Sequence, residues 1–319
     1  MNVLGIETSC DETSAAVVKD GRGILSNVTA SSMEDHKKYG GVIPEIASRR
    51  QLEFISAVVE EALDQSGVSL KKIDAVAVTN QPGLIGSLLV GISFARALSN
   101  ACNKPLAEVD HIKAHVYAAF LSEEQPKLPA IGLVVSGGHT NLYLVQGPLE
   151  FKLLGQTLDD AAGEAFDKVA RILGLGYPGG PAIDRLAART SPTALSFPCA
   201  NLTGTFDFSF SGIKTAVFYH QQKKQDQDDC STGQVAYAFQ KSVVDVLTKK
   251  CIEACQKLKT KTLLVGGGVA GNSALRENLR DIAQEHGIRV YLPSMSLCTD
   301  NAAMIAGLGY HVLRKNLLY

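Results

Sequence analysis

The chain is 319 residues long, about twice the length of an ordinary domain, which favours two domains over one. Hydrophobic residues at 45% and charged residues at 20% exclude a disordered or fibrous chain. With 31 basic against 32 acidic residues, no overall charge announces a polyanion partner.

Seven cysteines are scattered without a CxxC pair, so neither a disulfide framework nor a thiolate zinc site is written here. The N-terminus runs into a strand-like pattern with no basic leader, and the expectation is a protein without an export or transit peptide, in a reducing compartment. Residues 2–8, 13–19 and 23–30 predict three short strands, the first two flanking the polar turn Ser9-Cys10-Asp11-Glu12. A helix is expected over 44–64, with Leu52, Ile55, Val59 and Ala62 on one face, Pro44 in its first turn and Gly67 beyond its end. A buried strand over 73–79 and an apolar helix from Gly83 and Gly86 through Leu98 follow, then a strand over 105–109. The apolar stretch 82–95 is broken by glycine and expected to be too short for a bilayer.

His111-Ile112-Lys113-Ala114-His115 places two imidazoles one helical turn apart, which suits one metal ion. Two satisfied core histidines are the alternative. A zincin protease would need Glu after the first His, and that position is Ile112.

The opening pattern returns in the middle: strand 131–135, the turn Ser136-Gly137-Gly138-His139, then strand 140–145. In both copies a Ser is followed four residues later by a Thr, at Ser9/Thr13 and Ser136/Thr140. The pattern implies a duplicated α/β unit in two lobes, with phosphate-binding turns facing one cleft. Backbone N–H groups at Gly137 and Gly138 can approach a phosphate, and Thr140 can add its hydroxyl. Helices are expected over 159–173, carrying Glu164 and Asp167, and over 233–258, where Cys251 and Cys255 read as half-buried. Residues 177–184 read as a rigid turn, for close backbone approach or as a plain helix–helix connection; 221–231 read as a solvated loop. A strand over 262–265 leads to Gly266-Gly267-Gly268 and a helix over 272–284, whose positive end suits an anion. No Gly-Lys-Ser/Thr follows, so this is not a P-loop. The last strand is expected over 288–292 and the last helix over 300–313. Lys37, Lys38, Arg49 and Arg50 are a candidate basic patch.

Several motifs together resemble the TsaD family, formerly called O-sialoglycoprotein endopeptidases. They are Ile6-Glu7-Thr8-Ser9-Cys10-Asp11-Glu12-Thr13, Tyr39-Gly40-Gly41-Val42-Ile43-Pro44-Glu45, Ser136-Gly137-Gly138-His139-Thr140 and Gly176-Tyr177-Pro178-Gly179-Gly180-Pro181. Phe208-Ser209-Phe210-Ser211-Gly212-Ile213-Lys214-Thr215 and Gly268-Val269-Ala270-Gly271-Asn272 belong with them, and the likeness extends to Asp300-Asn301. The resemblance implies an α/β, duplicated two-lobed actin/Hsp70/sugar-kinase (ASKHA) fold with an interlobe nucleotide cleft. Residues 1–125 with the C-terminal helix 299–319 would form one lobe, and 126–298 the other.

The implied activity transfers the threonylcarbamoyl group from threonylcarbamoyl-AMP to N6 of the adenosine beside the anticodon, in tRNAs reading ANN codons. The implied iron (Fe2+) or zinc ligands are His111, His115 and Asp300. The donor, or ATP/ADP, would be held at Val134, Val135, Ser136, Gly137, Gly138, Asp167, Gly180, Asp184 and Asn272, with Asp11 in a catalytic role. The implied partners are tRNA, TsaB-like and TsaE-like proteins and a TsaC/Sua-type enzyme supplying the donor, in a cytoplasmic setting. The chain departs from the family pattern at Gln51, where His is usual, and at Asp110, Lys113 and Ala114. A metal-dependent glycoprotein endopeptidase lacks its base, and a kinase of the same fold would favour Mg²⁺ over a histidine-held metal. An Hsp70-type module would need a further domain for which there is no room.

Overall fold

The structure is a computed structural model describing residues 1–200, 202–227 and 230–316. It divides into two compact units: Met1–Gln125, Gly147–Glu150 and the C-terminal segment from Pro293 in the first, Pro126–Gln146 and Phe151–Leu292 in the second.

The first unit opens with β1 (Asn2–Glu7), β2 (Glu12–Lys19) and β3 (Gly23–Ser31), then α1 (Met33–Lys37) and α2 (Pro44–Ser66). It continues through β4 (Ala75–Gln81), α3 (Ile85–Cys102), β5 (Leu106–Asp110) and α4 (His111–Tyr117). The second unit holds β6 (Ala130–Val135), β7 (Thr140–Gly147), β8 (Glu150–Gln156), α5 (Ala162–Ile172), α6 (Gly179–Ala187), α7 (Ser211–Gln227) and α8 (Thr232–Lys257). β9 (Thr262–Gly266), α9 (Ser273–Glu285) and β10 (Arg289–Tyr291) complete it, and the chain returns to the first unit as α10 (Ala302–Asn316).

The two sheets have one strand order: β3-β2-β1-β4-β5, and β8-β7-β6-β9-β10 read from the opposite edge. In each, the first strand pairs antiparallel with the second and parallel with the strand on its other side. The strand–turn–strand repeat of the sequence thus occupies the same topological place twice.

Helices cover both faces of the first sheet, so β1 and β4 are near-continuous apolar runs rather than alternating ones. Leu4, Ile6, Val17, Val76 and Val78 pack with Ile55, Val59 and Ala62 of α2 and with Val90 and Ala95 of α3. On the other face α10 lies against β1: a Cβ on Gly5 would collide with the Ala302 carbonyl oxygen and, at 2.8 Å, with the Ala306 nitrogen. By length and composition α3 would reach across a bilayer, yet here it packs on β4 and α2.

Several elements differ from expectation. Leu52 is 65% exposed. The buried face of α2 is Gln51, Ile55, Val58, Val59 and Ala62, and Leu52 is rotated off it by a quarter turn. Residues 177–184 are not a turn throughout: Gly179 starts α6, with Pro181 in its first turn where a missing N–H costs nothing. The expected loop at 221–231 is helical through Gln227, because its Gln and Lys residues favour helix and neither Gly nor Pro interrupts them. Residues 228–229 lie outside the described residues, and Ser231 caps α8. A short 3-10 turn, Gly268–Gly271, separates the glycine run from α9. β8 has no counterpart in the expected elements, Cys251 and Cys255 are fully buried, and 317–319 lie outside the described residues.

Candidate functional site

In the first unit, β5 runs straight into α4, whose first residue is His111. The Asp110 side chain caps the helix, accepting the Lys113 N–H at 3.0 Å. One turn on, His115 lies on the same face; both rings are buried, with centroids 4.6 Å apart and planes at 77°. Asp300 arrives from the far end of the chain because the start of α10 is pinned to the sheet. Ala302 N–H donates to Ser14 Oγ and Ala303 N–H to Asn27 Oδ1, satisfying groups that the helix itself leaves open. Asp300 Oδ1 then lies 3.1 Å from His115 Nε2 and 3.5 Å from His111 Nε2.

The three ligand atoms fall within 4.8 Å of one another. Donors about 2.0–2.2 Å from a single ion are separated by roughly 3–3.6 Å, so small rotamer changes close the set. Two imidazoles and one carboxylate suit iron or zinc better than magnesium. The residues fit the implied metal.

More carboxylates gather around this centre. Glu7, fully buried at the end of β1, has Oε2 3.0 Å from His111 Nδ1. Burial disfavours the His111 imidazolium, but Asp300 and Glu7 outweigh it and raise the group to about 9. Burial and the charge of His111 together lower His115. Burial, then the charges of Asp300 and Asp11, hold Glu12 well above the carboxylate range, and burial raises the Cys10 thiol. Asp11 is nearly buried, its carboxyl hydrogen-bonded to Glu12 and its carbonyl accepting Ser32 N–H and Oγ–H at 3.1 and 2.8 Å.

Gln51 fastens this turn from α2: its Nε2 lies 3.0 Å from the carbonyls of Cys10 and Glu12. Neither Glu7 nor Gln51 is singled out for a role by spacing. The available signals were a charged residue closing an apolar strand and a polar residue inside the buried stripe of α2.

The second unit builds its corresponding end from backbone. Ser136 N–H donates to the His139 carbonyl and Gly163 N–H to the Ser136 carbonyl, seating the turn after β6 on the start of α5. Thr140 does not add its hydroxyl to an open site: it is buried and accepts Ala162 N–H at 2.9 Å, because α5 needs its first donors satisfied. Val134 and Val135 are ladder residues with buried side chains, and they lead directly into the turn. Asp167 accepts Gly179 N–H at 2.7 Å; burial raises its pKa against the Gly179 and Gly180 hydrogen bonds. Asp184 accepts Ser273 N–H and Oγ–H at 3.0 and 2.8 Å, and Asn272 caps α9 at Leu275 N–H while donating to Gln240.

Contacts link these pieces. A Cβ on Gly163 would meet the Ser136 carbonyl at 2.5 Å, one on Gly267 the Val135 carbonyl, and one on Gly179 the Asp167 Cα at 2.7 Å. At Gly137, Gly138, Gly180 and Gly268, by contrast, a Cβ would meet nothing within 4 Å, and none of the four has a positive φ. Packing leaves these four positions open, as it does Gly41 and Gly212. Gly137 and Gly268 follow the ends of the parallel strands β6 and β9, the edge of an α/β sheet at which ligands commonly bind.

The expected basic patch is not a field of free charge. Lys37 pairs with Glu34, Arg49 with Glu45, and Arg50 with Asp35 and Glu53, while Lys38 lies over the Tyr39 ring. Helical i,i+3 and i,i+4 spacing supplies three of these acids.

A family model described as TsaD, tRNA N6-adenosine threonylcarbamoyltransferase, matches residues 23–307. A protein of that name from Symbiobacterium thermophilum is 52% identical over 99% of this chain and 92% of its own length. One from Caldicellulosiruptor saccharolyticus is 52% identical over 99% and 94%. Among solved structures, full-length HypF in its phosphate- and nucleotide-bound form aligns with a TM-score of 0.66 at 13% identity, over 99% of this chain and 46% of that one. Component A of (R)-2-hydroxyglutaryl-CoA dehydratase from Acidaminococcus fermentans aligns with 0.58 at 14% identity over 99% of both chains. At these identities the likeness speaks for the ASKHA-type fold alone.

Proposed function

Because the chain belongs to the TsaD family of tRNA N6-adenosine threonylcarbamoyltransferases, we propose that it transfers a threonylcarbamoyl group, with metal-holding residues in its first unit and donor-holding residues in its second. The protein is a tRNA-modifying transferase; the donor, the ion and the residue roles below are our reading. The donor is threonylcarbamoyl-AMP, its phosphate cradled by the N–H groups around Gly137, Gly138, Gly180 and Gly268, with Asp167, Asp184 and Asn272 holding the surrounding helix ends. ATP or ADP fits the same cradle. His111, His115 and Asp300 would hold one iron or zinc ion, which would supply Lewis-acid chemistry when bound.

The adenine amine is a poor nucleophile. Its nitrogen attacks the carbamoyl carbon, a C–N bond forms, and the C–O bond to phosphate breaks as AMP departs. The amine proton passes to a base; Asp11, on the turn held by Gln51, orients or accepts from that amine. Backbone N–H groups of the glycine cradle stabilise charge on the departing phosphate. The adenosine acted on is the one beside the anticodon in tRNAs reading ANN codons.

The observation that carries this reading is the meeting of Asp300 with His115, 185 residues apart in sequence, at 3.1 Å. A TsaB-like protein is a further partner in this reading. A TsaE-like protein and a TsaC/Sua-type donor enzyme complete the set, in the cytoplasm where the tRNA substrate is. The test is reconstitution with tRNA, threonine, bicarbonate, ATP and a donor-making enzyme, adding partners singly and following the modified nucleoside by mass spectrometry. Wild-type product that persists in Asp300→Ala would overturn the metal-assisted reading. Cleavage of a glycoprotein by the purified chain would instead favour the endopeptidase.

A further inference from the structure

Of the two histidines, only His111 has its far ring nitrogen engaged by a carboxylate. The Nδ1 of His115 is buried without a partner among the described residues. The Nδ1 of His111 sits 3.0 Å from Glu7 Oε2 and 3.2 Å from Ser9 Oγ. Glu7 is itself held by two donors whose direction is fixed. Its Oε1 accepts the Ser9 backbone N–H and its Oε2 accepts the Thr79 hydroxyl, each at 2.5 Å.

We infer that Glu7 is a positioning residue that keeps His111 in its Nδ1–H form, so that the Nε2 lone pair faces the metal ion. The inference rests on the metal-centre reading above and extends it by one shell of contacts. A carboxylate only accepts, so an imidazole nitrogen beside it carries the hydrogen and the opposite nitrogen is left to ligate. Glu7 does not ligate: both oxygens are spoken for, and the ligating set is His111, His115 and Asp300. Its place at the last residue of β1 makes this orientation a property of the sheet, since β1 is flanked by β2 and β4 and covered by α10.

The substitution that separates orientation from shape is Glu7→Gln. The amide oxygen can replace only one carboxylate oxygen. With the NH₂ toward Ser9 two donors would oppose each other, so the favoured placement turns the NH₂ toward His111 and Thr79. The Thr79 hydroxyl can rotate to accept, but His111 Nδ1 must then accept as well. Its hydrogen moves to Nε2, where a metal cannot bind.

Zinc titrated into the metal-stripped full chain against a chromophoric chelator should therefore bind Glu7→Gln roughly 10–100-fold more weakly than wild type. Thr79→Val, which loosens Glu7 without placing a new donor, should lose far less. With ¹⁵N-histidine, zinc-loaded wild type should show a slowly exchanging His111 Nδ1–H, retained in Thr79→Val and absent in Glu7→Gln. Wild-type zinc affinity with an unchanged His111 tautomer in Glu7→Gln overturns the inference and leaves the metal centre standing. A wild-type chain that takes up no more zinc than His115→Ala overturns the metal centre, and the inference with it. Should Glu7→Gln not fold, the wild-type spectrum decides: hydrogen on Nε2 with zinc on Nδ1 overturns the inference, and the reverse upholds it.

Discussion

The turn after β1 and the turn after β6 stand at the same point of two sheets with one strand order, yet they are built in opposite ways. The first is packed in: Thr8 lies against Gly91, Ser9 against Gly83, and Gln51 ties its carbonyls to α2. Its chemistry is in side chains, with buried histidines and carboxylates that need fixed rotamers. The second is bare, with Gly137 and Gly138 facing open space, which suits the phosphate cradle proposed above. The metal centre proposed for the first turn calls for a rigid, side-chain-rich wall, and the phosphate cradle proposed for the second calls for side chains to be absent.

The largest effect should come from breaking the first turn's centre. His111→Ala, His115→Ala and Asp300→Ala should each strip the metal, measured by elemental analysis, and lower transfer by on the order of 10²–10³-fold. ADP affinity should stay at the wild-type value, because the cradle residues belong to the other unit. A parallel loss of ADP binding would mean that the two turns are not independent.

Adding a methyl group to each turn sharpens the contrast. In Gly83→Ala the new Cβ would stand 2.6 Å from the Ser9 carbonyl, costing about 1–3 kcal/mol and lowering the thermal midpoint. At Gly137 or Gly180 a Cβ meets nothing within 4 Å, so Gly137→Ala and Gly180→Ala should melt like wild type. They should nonetheless bind ADP at least about tenfold more weakly, or ~1.4 kcal/mol, by calorimetry. Unaltered ADP affinity in both variants would remove these glycines from the site.

Gln51→Leu tests how the first turn is held. It keeps the helix but removes the amide donor from the Glu12 carbonyl and one of two donors from the Cys10 carbonyl, which Ser87 Oγ–H still serves, for about 1 kcal/mol of lost stability. Thermal melts should show this loss, and transfer should fall more than melting alone explains if Asp11 depends on the turn. The smallest effects belong to the paired surface charges. Lys37→Ala and Arg49→Ala should shift stability by no more than about 0.5 kcal/mol, with little change in the salt dependence of tRNA binding.

Much of this contrast was legible before folding. Periodicity located most strands and helices, the Ser/Thr spacing exposed the duplication, and His111 and His115 lay one turn apart on a helix. Such features depend on neighbours within a few residues, and side-chain period reports them directly. Other features depended on packing. Asp300 reaches the histidines only because α10 seats on β1 at Gly5, and Glu7 becomes a partner of His111 only because the sheet brings the end of β1, across β4, to the start of α4. Leu52 turned outward because the buried stripe of α2 is set by the sheet beneath it, and the basic cluster was neutralised by acids on its own helices. Thr140 looked like a ligand and became a helix anchor for the same reason: a hydroxyl's role is fixed by whichever unsatisfied N–H the fold brings to it. Local pattern therefore determined the elements and the residue types at the two turns. Tertiary contact between distant segments decided which of those residues meet and which glycines face open space, because burial and hydrogen-bond satisfaction are properties of the assembled surface rather than of spacing.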